Sequence, residues 1–114
     1  MKEIIFYKTE SNNSPIEDFM DSLNEKQICK VLWVLKLIKE LTVIPKQYFK
    51  KLSNSDDIWE VRIIFGGNIF RLLCFYEDES LIVLTNGIKK KTQKIPKQEI
   101  KLAEQRKKDW LKRR

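Results

Sequence analysis

The sequence predicts an α+β domain in which helices pack against an antiparallel sheet. Three observations carry that expectation. Residues 57–91 hold three apolar runs rich in Val, Ile, Leu, Phe and Trp, split by Gly66-Gly67 and by Glu77 to Ser80. β-Branched and aromatic runs with such breaks form a meander. Residues 15–41 instead repeat their apolar side chains at intervals of three and four, the helical period. A third helical segment follows Pro96 and is rich in Lys and Arg. With 114 residues, 42% of them apolar, residues 1–114 make a single domain with one core.

Glu3 to Lys8 reads as a short first strand, added to the edge of the meander. Ser14 before Pro15 makes an N-cap and first-turn pair, and Glu17 completes a capping-box spacing. The first helix runs from Pro15 to about Leu23, with Ile16, Phe19, Met20 and Leu23 on one side. Asn24 caps a second helix reaching about Leu41, whose stripe of Ile28, Val31, Leu32, Leu35 and Ile38 is widened by Trp33, Val34 and Leu37. These residues, Trp33 included, are expected in the core. Thr42 to Asp57 reads as a polar loop in which Phe49 and Leu52 pin the chain down. Pro96 opens the last helix, with Ile100, Ala103 and Trp110 inward and its basic residues exposed. All helices are expected on one face of the sheet.

The first hairpin can be registered residue by residue. Gly-Gly suits a two-residue loop because both positions tolerate positive φ. Phe65 then pairs with Asn68, and Trp59, Val61 and Ile63 face Cys74, Leu72 and Phe70. The other face carries Glu60 beside Leu73, Arg62 opposite Arg71, and Ile64 opposite Ile69. Taking Asp78-Glu79 as the second loop would place Asn86 opposite Arg71, on that same face. Two arginines directly opposed repel each other, so something must offset them. Glu60 or another internal carboxylate is one candidate. An external anion is the other, since paired guanidinium forks suit phosphate oxygens.

Charge is unevenly spread along the chain. Residues 86–114 hold 12 Lys/Arg against 3 Asp/Glu, whereas residues 1–85 hold 11 against 13. The formal net charge is +7, all of it from the C-terminal part. This asymmetry suits a polyanionic or acidic partner, with a well-solvated helix as the plain alternative. Tyr48-Phe49 beside Lys50 and Lys51 offers stacking and phosphate contact for RNA. Cys29 and Cys74 lie in apolar contexts outside any metal-ligand spacing. With no secretory signal in MKEIIFYKTE, they read as buried thiols of a cytoplasmic protein. Lys36 and Lys39 interrupt the most apolar helical run, so no membrane partner is expected.

The chain contains no histidine. That removes the usual general base near neutrality, His-dependent nucleophiles and most transition-metal sites. No phosphate-binding glycine loop and no acidic magnesium cluster are present, so neither cofactor nor metal is expected. RNA phosphodiester cleavage remains accessible to Arg, Lys and Glu. The substrate supplies its own nucleophile, the 2′-OH, and cations stabilise the phosphorane. A lysine among lysines has a depressed pKa and could move a proton.

WEVR at 59–62, FRLLCFY at 70–76 and NGIKKKTQKIPKQEIKLAEQRKKDW at 86–110 resemble the HigB branch of the RelE-like toxins, also termed phage-derived Gp49-like. The likeness extends over the whole chain in element order. It implies a RelE-like fold, with two N-terminal helices on a curved antiparallel sheet and a basic C-terminal helix. It also implies a type II toxin cleaving mRNA in the ribosomal decoding site, without metal, by 2′-OH attack that leaves a 2′,3′-cyclic phosphate. The implied partners are mRNA, the ribosome and a helix-turn-helix antitoxin of HigA type, with operator DNA reached only through that antitoxin. On this resemblance Arg71 matches the arginine at the scissile phosphate, and Arg62 the WE-x-R arginine. Lys89, Lys90 and Lys91 match the basic segment, with Lys94 beyond it. Many members carry His where this chain has Asn86, which leaves proton transfer to lysine such as Lys90, to Glu60 or to the substrate's surroundings. Two alternatives stay open: a ParE-like toxin acting on gyrase, and a non-enzymatic RNA- or ribosome-binding module.

Overall fold

The computed structural model describes residues 1–89 and 94–114. The elements are β1 (Glu3–Phe6), α1 (Pro15–Asp21), α2 (Glu25–Glu40), β2 (Phe49–Lys51), β3 (Trp59–Phe65), β4 (Asn68–Asp78), β5 (Leu81–Lys89) and α3 (Lys97–Arg113). One five-stranded sheet has the order β1-β5-β4-β3-β2. β1 runs parallel to β5, and the other pairs are antiparallel.

The helix starts follow local chemistry. Ser14 Oγ accepts from Glu17 N at the head of α1, with Pro15 in the first turn. At α2, Asn24 accepts from Gln27 N while Gln27 accepts from Asn24 N, each bond 2.9 Å. Together they satisfy two backbone donors that the first turn otherwise leaves open.

The first hairpin has the register expected from its sequence, from Trp59↔Cys74 through Arg62↔Arg71 to Phe65↔Asn68. Of the two loop glycines, Gly66 takes a positive φ, 60°, and Gly67 does not. The second hairpin corrects the expectation. Its loop is Glu79-Ser80, since Asp78 pairs with Leu81, and Asn86 faces Leu73 rather than Arg71. Register shifts at Glu77 and Thr85 separate the two pairings. Each bulge inserts one unpaired residue that no hydrophobic pattern announces.

Helices cover both faces of the sheet, not one. α1 and α2 lie over Val61, Ile63, Phe70, Leu72 and Leu84. α3 lies across the opposite face, where Ala103 and Trp110 pack with Leu73, Phe75, Val83 and Ile88. β2 is a further correction, because the segment read as a loop joins the sheet through Phe49, which is buried as expected. The helical stripe of α2 is narrower than its sequence suggested. Leu32 and Trp33 stand 51% and 46% exposed, and Cys29 is exposed while Cys74 is buried.

Gly87 explains its place in the Asn-Gly-Ile-Lys run. A Cβ there would stand 2.4 Å from Phe19 Cγ, so α1 reaches the sheet only over a bare backbone. Gly87→Ala is expected to lose about 1–3 kcal/mol by overpacking. A lowered urea midpoint with unchanged slope would show it.

Candidate functional site

Strand alternation sorts the candidate residues by face. Lys50, Glu60, Leu73 and Asn86 form one row across four strands, and Arg62, Arg71 and Ile88 form the next. Five candidates therefore share one face: Lys50, Glu60, Arg62, Arg71 and Asn86. Lys51 pairs with Trp59 in the alternate row and holds Asp57 at 2.6 Å. Lys89 pairs with Phe70, also in a row on the face covered by α1 and α2. Lys90 and Lys91 lie outside the described residues, and Lys94 is exposed just before α3.

The arginine pair is offset from within. Arg71 Nε donates to Glu60 Oε2 at 2.7 Å, and both side chains are enclosed, Arg71 1% exposed and Glu60 3%. A buried charge is tolerable only when paired and hydrogen-bonded, and this bond meets that need. Glu60, one of the two candidates offered by the sequence, is a counter-charge that Arg71 meets directly. Arg62 is half-buried, and its Nε is enclosed with no hydrogen-bond partner among the described residues.

Asn86 is 4% exposed and fully engaged. Thr85 Oγ1 lies 2.6 Å from Asn86 Oδ1 and 3.0 Å from the Leu73 carbonyl, sharing one proton between two acceptors. Asn86 Nδ2 faces Glu99 Oε1 at 3.2 Å and the Glu99 carbonyl at 3.4 Å. Glu99 and its helix were missed as parts of this face. Glu99, Ala103, Arg106, Trp110 and Arg113 are spaced four, three, four, three, so one helical stripe carries them all.

Two basic residues of α3, Arg106 and Lys107, are half-buried, a correction to their expected exposure, whereas Arg113 and, beyond the helix, Arg114 are exposed as expected and still bond to the fold. Arg106 Nη1 donates to the Thr85 carbonyl at 3.0 Å. Lys107 Nζ donates to the Asp56 carbonyl at 2.8 Å. Arg113 bonds Asp109 and the Lys8 carbonyl, and Arg114 pairs with Glu77 at 2.9 Å. Burial also holds the Arg106 guanidinium below its usual pKa. The C-terminal charge is thus partly an internal fastening.

Tyr7 Oη donates to Asp109 Oδ2 at 2.6 Å, tying α3 to the end of β1. That bond holds the Asp109 carboxyl below its usual 3.8. Burial, then the Asp109 contact, pushes the Tyr7 phenol above its usual 10.0. The depressed carboxyl stabilises docking above its unfolded pKa, and that contribution fades as pH falls through the lowered value. The raised phenol stabilises docking below its unfolded pKa and ceases to do so as pH climbs through the raised value. Amide NMR shifts of α3 should therefore hold steady between those limits and move outside them. Tyr7→Phe should move the acid-side transition toward the ordinary carboxylate range.

Among the described residues, no group of three His, Cys, Asp or Glu side chains could hold a metal ion. None of their helices is long and apolar enough to cross a membrane.

Among the described residues, three helices and a five-stranded sheet make an α+β fold, and it is RelE-like. A chain of the crystal structure of the archaeal RelE-RelB complex from Pyrococcus horikoshii OT3 superposes with a TM-score of 0.50. The match covers 82% of this chain and 98% of that one, at 14% identity. Residues 18–108 match the family described as phage derived protein Gp49-like (DUF891), and the chain belongs to that family. The curated proteins give no significant match.

Proposed function

We propose that this chain is the toxin of a type II toxin–antitoxin system, of the HigB branch, and a ribosome-dependent mRNA endonuclease. The observation that carries the reading is one sheet face holding Arg62, Arg71, Glu60, Lys50 and Asn86 together. Membership of the Gp49-like family and the RelE-like fold support it. The 2′-OH attacks the adjacent phosphorus, the 5′ oxygen leaves, and a 2′,3′-cyclic phosphate remains. Arg62 neutralises charge that builds on the phosphorane, with Lys50 along the RNA backbone. Arg71 reaches the phosphate only once Glu60 releases it, so the free protein is held latent and the ribosome-bound state is the active one. Lys89, Lys90, Lys91 and Lys94 are the proposed RNA contacts of the basic segment, and Lys90 is the proposed proton carrier. Lys51 contributes at the rim after leaving Asp57.

The partner is an antitoxin of helix-turn-helix, HigA-like type, through which alone operator DNA is contacted. The fold's likeness to a chain in a RelE-RelB complex supports an antitoxin partner. The setting is the cytoplasm, where mRNA and ribosomes are. No metal takes part, so cleavage of translated mRNA should persist in a chelator of divalent ions other than the magnesium that ribosomes need. Product 3′ ends should carry cyclic phosphate, detected by their resistance to phosphatase until acid opens the ring. Plain 3′-hydroxyl ends would refute the 2′-OH route.

One observation favours a second reading. Arg71 and Glu60 are buried and bonded to each other, and Asn86 is buried against Glu99. A face closed in this way also suits a non-enzymatic RNA- or ribosome-binding module, which would inhibit translation without making new RNA ends.

A further inference from the structure

Among the described residues, β2 pairs with Trp59, Glu60 and Val61 alone, so beyond Arg62 β3 has no outer neighbour in the sheet. The chain entering β2 and one side of α2 frame this open edge. Arg62 N donates to the Tyr48 carbonyl at 2.8 Å. The Tyr48 ring meets the Trp33 ring edge to face, centroids 5.9 Å apart at 80°. Lys30 Nζ stands 4.5 Å from the centre of the Trp33 ring. A hollow of about 260 Å³ runs between Lys30, Gln47, Tyr48, Arg62 and Ile64. It adjoins a second hollow beside Trp33 and Phe65.

Three features of this edge lack an internal purpose. Trp33 is a large aromatic side chain left 46% exposed on a helix whose other face already fills the core. Lys30 and Arg62 come from different elements yet line one small hollow, with no carboxylate among its lining residues. Arg62 also lines this hollow, and its Nε is enclosed without a hydrogen-bond partner among the described residues. An enclosed donor left unsatisfied is costly, and an anionic oxygen would satisfy it. Aromatic faces beside cations suit a base attached to its phosphate.

We propose that this edge is a nucleotide subsite for single-stranded RNA. A base stacks on the exposed part of Trp33, and the attached phosphate sits between Lys30 and Arg62. The proposal rests on the RNA reading and deepens it, since Arg62 then joins the arginine face to a second contact around the sheet edge. The strand is held on both sides of Arg62, which fixes where along the RNA the arginine face acts.

The test is fluorescence anisotropy of a labelled single-stranded RNA decamer with wild type, Trp33→Ala, Trp33→Phe and Lys30→Ala. Trp33→Ala should weaken binding about 5- to 150-fold, the range of one lost base stack. Trp33→Phe should restore most of the affinity. Lys30→Ala should flatten the dependence of log affinity on log salt by about 0.7, one phosphate contact on a single strand. Unchanged affinity in Trp33→Ala would overturn the subsite, as would absence of RNA binding by wild type. Trp33-dependent binding of a poly-glutamate peptide, with none of the RNA, would overturn it too and assign the edge to an acidic protein. The same proteins in a translation reaction separate the two levels. Trp33-dependent RNA binding without new mRNA ends upholds the subsite and removes the nuclease. New ends with unchanged affinity in Trp33→Ala remove the subsite alone.

Discussion

Arg71→Ala is expected to destabilise the fold by about 3–5 kcal/mol, because it strands Glu60 as a buried unpaired charge. The bond it removes is the 2.7 Å contact between two side chains that are almost wholly enclosed. Loss of function in Arg71→Ala would therefore be uninterpretable by itself. Glu60→Leu combined with Arg71→Met should recover most of the stability, since replacing both members of a buried ion pair by apolar groups is often neutral or better. Urea titration of the three proteins measures this directly. The double variant, folded but without Arg71, is then the fair probe of the arginine's chemistry. It should not cut RNA. A double variant as unstable as Arg71→Ala would show that more than the charge pair holds this part of the sheet.

Arg62→Ala is expected to lower cleavage about 10²- to 10³-fold, the usual effect of removing one donor that stabilises transition-state charge. Stability should change little. Arg62 is half-buried, and its Nε makes no hydrogen bond among the described residues. The side chain is thus held ready rather than used by the fold. Arg62→Lys should recover only part of the rate, because an ammonium keeps the charge but not the planar fork. Single-turnover cleavage rates, compared at equal folded fraction, decide the point. A tenfold or smaller loss in Arg62→Ala would move the arginine from the chemistry to RNA binding alone.

How far the sequence reveals this arrangement depends on what each element needs to know. The first hairpin is legible because Gly66-Gly67 fixes the loop and the loop fixes every pair after it. Arg62 and Arg71 thereby fall on one face by arithmetic. The second hairpin is not legible, because bulges at Glu77 and Thr85 shift the register twice. Asn86 still reaches the right face, opposite Leu73, since the expected and actual pairings differ by two residues. Lys89 falls one residue beyond Ile88, and alternation turns it to the other row. Its side could be read only once that register was known.

The position of α3 was hidden for a different reason. Helical periodicity shows that Ala103 and Trp110 face something, not which side of a sheet they find. Arg106 lies on the same stripe, and its spacing could have marked it as inward. Its partner, the Thr85 carbonyl, is exposed to it only by the bulge. Trp33 failed in the opposite direction. Eight apolar residues on α2 exceed what one packed face can cover, and hydrophobicity cannot say which are left outside. The counter-charge of Arg71 was legible as one of two alternatives. Glu60, next to Trp59 in β3 and opposite Leu73, was already named as one of them.

The most direct test of the central claim is mapping of mRNA 5′ ends in a cell-free translation reaction. Wild type and Arg62→Ala would be compared on translated message and on the same message without ribosomes. The account predicts new ends on translated mRNA with wild type, strongly reduced with Arg62→Ala, and none without ribosomes. Translation inhibited by wild type with every message intact would contradict it, and would make the protein a binder of the ribosome or its RNA.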